Sequence, residues 1–143
     1  MADHVVLQPP SHSRPIGQYS PGVGIPLGDG RILVHISGQV ATDQAGNTLS
    51  VGDPGDQTAV VFERLRAVLR EVGGDLSDLV SVVIYVTNMR HFPQISAVRN
   101  DLLDVNPPAS TLVEVARLAD PDHLVEISGT AVVSAGLVSA HER

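Results

Sequence analysis

Two glutamates carry the clearest chemical signal in the chain. Glu114 sits in Leu112-Val113-Glu114-Val115-Ala116 and Glu126 in Leu124-Val125-Glu126-Ile127, each inside a run that reads as a strand. A carboxylate so placed loses solvation, which costs free energy unless the group is paired, hydrogen-bonded or at work. A partly desolvated carboxyl is also what general acid–base chemistry near neutral pH requires. Either glutamate alone reads as the outward residue of an alternating strand; the two together point to a cleft. Glu114 shares its strand face with Ser110, Leu112 and Ala116, whereas Arg117 falls on the other face with Val113 and Val115, which makes Arg117 a poor partner for it.

Other chemistries find little support. The 143 residues include no Cys, which removes disulfides, thiolate metal sites and a Cys nucleophile together. All nine basic residues are Arg; without Lys, Schiff-base chemistry on a side-chain amine is excluded. His4, His12, His35, His91, His123 and His141 are dispersed without ligand spacing, so no metal and no cofactor is expected. Gly22 and Gly24 belong to no phosphate loop and read as turn or loop glycines, and no Ser stands in a strand–turn–helix nucleophile context. A net charge of −7 with only two Phe, two Tyr and no Trp argues against nucleic acid as a partner. The one cluster of basic residues, Arg64, Arg66 and Arg70, lies beside Glu63 and Glu71 and reads as a solvated helix face. No run of 18 apolar residues appears and Met1 to Pro10 has no leader pattern, so neither a membrane nor secretion is expected and the chain is placed in the cytoplasm.

The elements that must position the glutamates follow from periodicity. One domain is expected over residues 1–143, with a loosely held arm to about residue 14, an ordered core over about 15–133 and a tail over 134–143. Ile32, Val34 and Ile36 alternate with Leu33, His35 and Ser37, as a strand over 31–40 would. Asp53-Pro54 opens a helix that Gly73-Gly74 stops, with Val61, Leu65, Val68, Leu69 and Val72 on one face. Leu79 to Thr87 reads as a strand covered on both sides. A shorter helix follows over 93–103, then strands over 111–118 and 124–133. The expected architecture is α+β: a mixed sheet with two helices on one face, the other face apolar and bare unless subunits associate.

Five segments in order resemble one known family. Ile16-Gly17-Gln18-Tyr19-Ser20, Ile36-Ser37-Gly38-Gln39, Val83-Ile84-Tyr85-Val86-Thr87-Asn88-Met89, Pro108-Ala109 leading into Val113-Glu114-Val115-Ala116-Arg117-Leu118, and Val125-Glu126-Ile127 are similar to the reactive intermediate deaminase (RidA) family, also called YjgF-like or endoribonuclease L-PSP, over nearly all of 15–133. The resemblance implies a chorismate-mutase-like homotrimer with a central barrel-like core and small-molecule clefts between subunits. Active members of that family hydrolyse imines and enamines of amino-acid metabolism to 2-oxo acids and ammonia. By position, Glu126 matches the residue that handles water, and Tyr19, Ser37 and Gly38 match the lining, with Asn88, Leu112 and Glu114 expected beside them. The family's carboxylate-clamping Arg directly follows Pro-Ala; here that residue is Ser110. A short neutral hydroxyl cannot supply a charged fork. The resemblance therefore implies a divergent member whose cleft takes a neutral or differently charged metabolite, with Glu126 and water acting on an imine or related group. The alternative is a non-catalytic ligand-binding or partner-binding trimer. The acidic composition argues against the endoribonuclease reading.

Overall fold

The structure, a computed structural model, describes residues 3–134. It has six strands, β1 (Val5–Leu7), β2 (Gly22–Pro26), β3 (Ile32–Gln39), β4 (Leu79–Val86), β5 (Ala109–Glu114) and β6 (Val125–Val133), and two helices, α1 (Pro54–Arg70) and α2 (Phe92–Leu102). One sheet runs in the order β1-β2-β3-β6-β4-β5, antiparallel except for the β4–β5 pair. That parallel pair is joined by α2, as a parallel connection requires a crossover.

The local chemistry of α1 explains its limits. The Asp53 carboxylate accepts from the backbone N–H of Asp56 at 2.9 Å, Pro54 occupies the first turn, and Gly73 takes φ of 80° just past the end. Val61, Phe62, Leu65, Val68 and Leu69 are fully buried and pack on Val34 and Ile36 of β3, Ile84 and Val86 of β4, and Ile127, Ala131 and Val133 of β6, with Ile95 of α2 in the same core. Buried Gln57 ties α1 to the approach to β6: its Nε2 donates to the Asp122 carbonyl at 2.8 Å and its Oε1 accepts from Leu124 N–H at 2.9 Å. The start of the strand that carries Glu126 is thereby pinned to the helix.

The expected two-helix α+β sheet is observed, with four differences. Val5–Leu7, assigned from sequence to a loose arm, form β1 against β2, and Leu7 is buried. Gly22 and Gly24 lie in β2 rather than a loop, because a side chain at Gly22 would meet Val68 Cγ1 at 2.5 Å: the glycine is what lets β2 approach α1. β5 spans Ala109–Glu114, starting and ending earlier than the expected 111–118. The face without helices is mixed rather than uniformly apolar: Leu33, Val83, Tyr85, Val113 and Val132 share it with His35, Ser37, Ser128, Thr130 and Glu126. The tail assigned to 134–143 lies outside the described residues beyond Ser134.

Candidate functional site

A one-residue bulge builds the first half of the site. Ile36 pairs with Gly129 and Gln39 with Ile127, so three steps on β3 match two on β6 and Ser37-Gly38 swell out of the ladder. Ser37 is held from both ends: its N–H donates to the Pro21 carbonyl at 2.9 Å and its Oγ to the Ser20 carbonyl at 2.6 Å. The Glu126 carboxylate lies over the space where a Gly38 side chain would sit, its Cδ 2.8 Å from an ideal Cβ there. Only glycine admits it. Glu126 is half-buried, no hydrogen bond among the described residues reaches its carboxylate, and burial raises its pKa above the ordinary value. Tyr19, largely exposed, stands across the cleft that Gly38 also lines.

The second half is spread along β5, from Ser110 near its start to Glu114 at its end beside the turn that follows β4. Asn88 Oδ1 accepts from Arg90 N–H at 2.9 Å and caps the 3₁₀ turn Met89–His91, while Glu114 Oε1 accepts from Met89 N–H at 2.8 Å. Glu114 thus has a structural task in this chain: it fastens the turn after β4. Ser110 is exposed and lines a shallow groove of about 260 Å³ with Arg99, Asp104 and Pro107; Leu112 is half-buried against the core.

The two halves do not meet within one chain. Ile84 pairs with Leu112 and with Ile127, so Ser110, Leu112 and Glu114 lie on the helix side of the sheet. Glu126 pairs with Tyr85, which in turn pairs with Val113, on the bare side. Sequence alternation grouped Ser110, Leu112 and Glu114 on one face as observed, but Val115, Ala116 and Arg117 lie beyond the end of β5, and the relation of β5 to β6 required the register through β4.

Two residues of the larger cleft had no part in the sequence reading of the site. This cleft, of about 410 Å³, is walled by Tyr19, Gly38 and Gln39 together with His12 and Arg64. Arg64 Nη1 donates to the Thr42 carbonyl at 2.8 Å, but its Nε and His12 Nε2 are buried without a partner among the described residues. Burial, and secondarily the Arg64 charge, push the His12 pKa down to about 4. Among the described residues no three His, Cys, Asp or Glu side chains are grouped to hold a metal, and no helix is long and apolar enough to cross a membrane.

Comparison with known proteins extends this geometry. Residues 11–133 match the family model described as endoribonuclease L-PSP. Among solved structures, the chain is similar to the protein YyfA of the conserved Rid protein family from Yersinia pestis (27% identity, 91% of this chain and 99% of that one, TM-score 0.79). It is similar to TdcF from E. coli, solved with bound serine (27%, 91% and 99%, TM-score 0.77), and to the E. coli YjgF gene product (26%, 90% and 98%, TM-score 0.74).

Proposed function

We propose that this chain, which belongs to the endoribonuclease L-PSP (Rid/YjgF) family, forms a homotrimer whose inter-subunit clefts hydrolyse a small imine or enamine, with Glu126 as general base. The observation that carries this reading is the setting of Glu126: a half-buried carboxylate with a raised pKa, laid against the bare backbone of Gly38 on the open face of the sheet. Such a group accepts a proton more readily than a free carboxylate. In the proposed step Glu126 takes a proton from water as the water oxygen bonds to the C=N carbon and the nitrogen is protonated. Collapse of the carbinolamine breaks the C–N bond, leaving a carbonyl compound and ammonia. Ser37 and Gly38 border the reacting region, and Tyr19 closes it.

The trimer supplies what one chain lacks. Glu126 and Ser110 lie on opposite sides of the sheet, so a cleft holding both needs the Ser110 side of a second copy set against the Glu126 side of the first. The mixed bare face, with Val83, Tyr85 and Val113 beside Glu126, suits such an interface. The relative TdcF was solved with serine bound, which supports a ligand of that size. Ser110 provides no cation, so a substrate clamped there through its carboxylate should bind weakly. The test is ammonia release from a panel of freshly generated imines, with and without a carboxylate, by wild type and Glu126→Gln. The reading expects turnover of at least one imine that falls about a hundredfold or more in Glu126→Gln; equal turnover above background by the two proteins would remove Glu126 as the base, and no turnover by the wild type on any imine would leave a ligand-binding trimer as the better account.

A further inference from the structure

We propose that the pocket between the N-terminal segment and α1 is a binding site for a small monocarboxylate, held by Arg64 and His12. The site borders the Glu126 group through Gly38 and Tyr19 but does not depend on it, since neither Arg64 nor His12 touches the proposed chemistry.

Arg64 is a cation whose hydrogen-bonding capacity is only partly met. Arg66 and Arg70, on the same helix, are paired with acids: Arg66 with Glu63 at 2.6 Å and Asp75 at 3.0 Å, Arg70 with Asp75 at 3.5 Å. Arg64 projects the other way, into the cleft, and among the described residues no carboxylate lies within ion-pairing distance of it. Asp43, the acid whose field reaches it, is instead engaged by the N–H groups of Ala45 and Asn47, each at 2.9 Å. A partly buried guanidinium with one neutral acceptor is costly, and an anionic ligand offsets that cost.

The donors left over define the ligand. With Nη1 committed to Thr42, the free edge of Arg64 is Nε–H with Nη2, a planar two-donor fork that matches the two oxygens of a carboxylate. His12 is only 5% exposed, and its Nδ1 lies 3.3 Å from Ser11 Oγ. In the tautomer in which that hydroxyl donates to Nδ1, the ring proton is on Nε2, near the Gln39 side chain but without a hydrogen bond of good geometry among the described residues, and the proposed site takes that nitrogen as a third donor. Burial keeps His12 neutral at physiological pH, so the floor of the pocket carries a single positive charge, with exposed Arg14 at its wall. One fixed charge suits a monoanion, and about 410 Å³ holds a small metabolite.

The experiment is titration of the full-length protein with acetate, with acetamide and inorganic phosphate as controls, followed by calorimetry and by the ¹⁵N resonances of the arginine Nε–H groups. Saturable acetate binding that moves one Nε–H resonance, is absent with acetamide, and weakens about tenfold or more in Arg64→Met is expected. Arg64→Lys, which keeps the charge but loses the fork, should fall between. Ligand-free Arg64→Met should melt no lower than wild type, because a buried cation has been replaced by an apolar chain of similar length; a large loss of stability would mark Arg64 as a purely structural strut and overturn the proposal. Absence of acetate binding by folded wild type, or undiminished binding in Arg64→Met, would also overturn it, and preference for phosphate would overturn the carboxylate class. None of these readouts needs turnover, so they stand or fall separately from hydrolysis at Glu126.

Discussion

The two faces of the sheet are made from the same three central strands and have opposite characters. Toward the helices, β3, β4 and β6 present Val34, Ile36, Val82, Ile84, Val86, Val125, Ile127, Ala131 and Val133, all buried. One residue along in each strand, the bare face mixes Leu33, Val83 and Val132 with His35, Ser37, Tyr85, Ser128, Thr130 and Glu126. Period-two alternation lets a single strand be both structural wall and chemical platform. Glu126 is held between Val125 and Ile127, two side chains locked in the core, so its backbone cannot move without disturbing the core. The loops and the Ser37-Gly38 bulge provide the cavity; the strand provides the precision.

The contrast can be broken most severely from the covered side. Phe62→Ala, at a fully buried position on α1, should cost about 4 kcal/mol in denaturant unfolding, whereas Val83→Ala on the bare face of an isolated chain should cost about 1 kcal/mol or less. Equal losses would mean that the bare face is as tightly packed as the core. Next in size is a pH effect at the buried cleft. The His12 pKa is depressed to about 4 in the folded chain from 6.5, so the unfolded chain binds the proton first as pH falls. The stability His12 allows is complete above pH 6.5 and is lost on descent through the window to about 4, on the order of 2 kcal/mol; His12→Phe should flatten that part of the stability–pH curve.

Smaller effects sharpen the bare face. Gly38→Ala should destabilise by about 1 kcal/mol, because the new methyl group displaces the flexible end of Glu126 rather than backbone, yet it should abolish whatever Glu126 does. Glu126→Gln should be the mildest for stability. The raised carboxyl pKa of the wild type means that its contribution is fully present below the unfolded value of 4.5 and is lost as pH rises through the folded value. The variant should therefore match or exceed wild-type stability at neutral pH and lose the advantage in acid.

Much of this organisation was legible in the sequence. The Asp53-Pro54 cap, the Gly73 stop and the alternation of β3 and β6 are local signals, and each named its element within a residue or two. β1 and β2 escaped because their reasons are tertiary: Gly22 is small for the sake of Val68, which is distant in sequence. For the same reason Arg64 looked like its neighbours Arg66 and Arg70. Three arginines beside two glutamates read as one solvated face, and only the direction of each side chain separates the paired two from the one turned inward. Glu126 was placed on its strand from the chain alone, and Ser110 on the face it shares with Glu114, one residue ahead of the expected strand. The separation of Ser110 and Glu126 to opposite sides of the sheet depends on β4 lying between β5 and β6, which alternation within a strand does not encode.

The central claim, that Glu126 and Ser110 meet only across a subunit boundary, is tested most directly by complementation. Glu126→Gln removes the proposed base, and Ser110→Trp blocks the opposing wall without touching the bare face of its own chain. Each homotrimer is expected to be inactive on an imine that the wild type hydrolyses. After the two are unfolded together and refolded at equal concentrations, a cleft that joins an intact Glu126 to a neighbour's intact Ser110 forms in about a quarter of the random pairings, so about a quarter of wild-type ammonia release should return. Mixed trimers as inactive as their parents, or a protein that scatters light as a monomer while still turning over, would contradict the account.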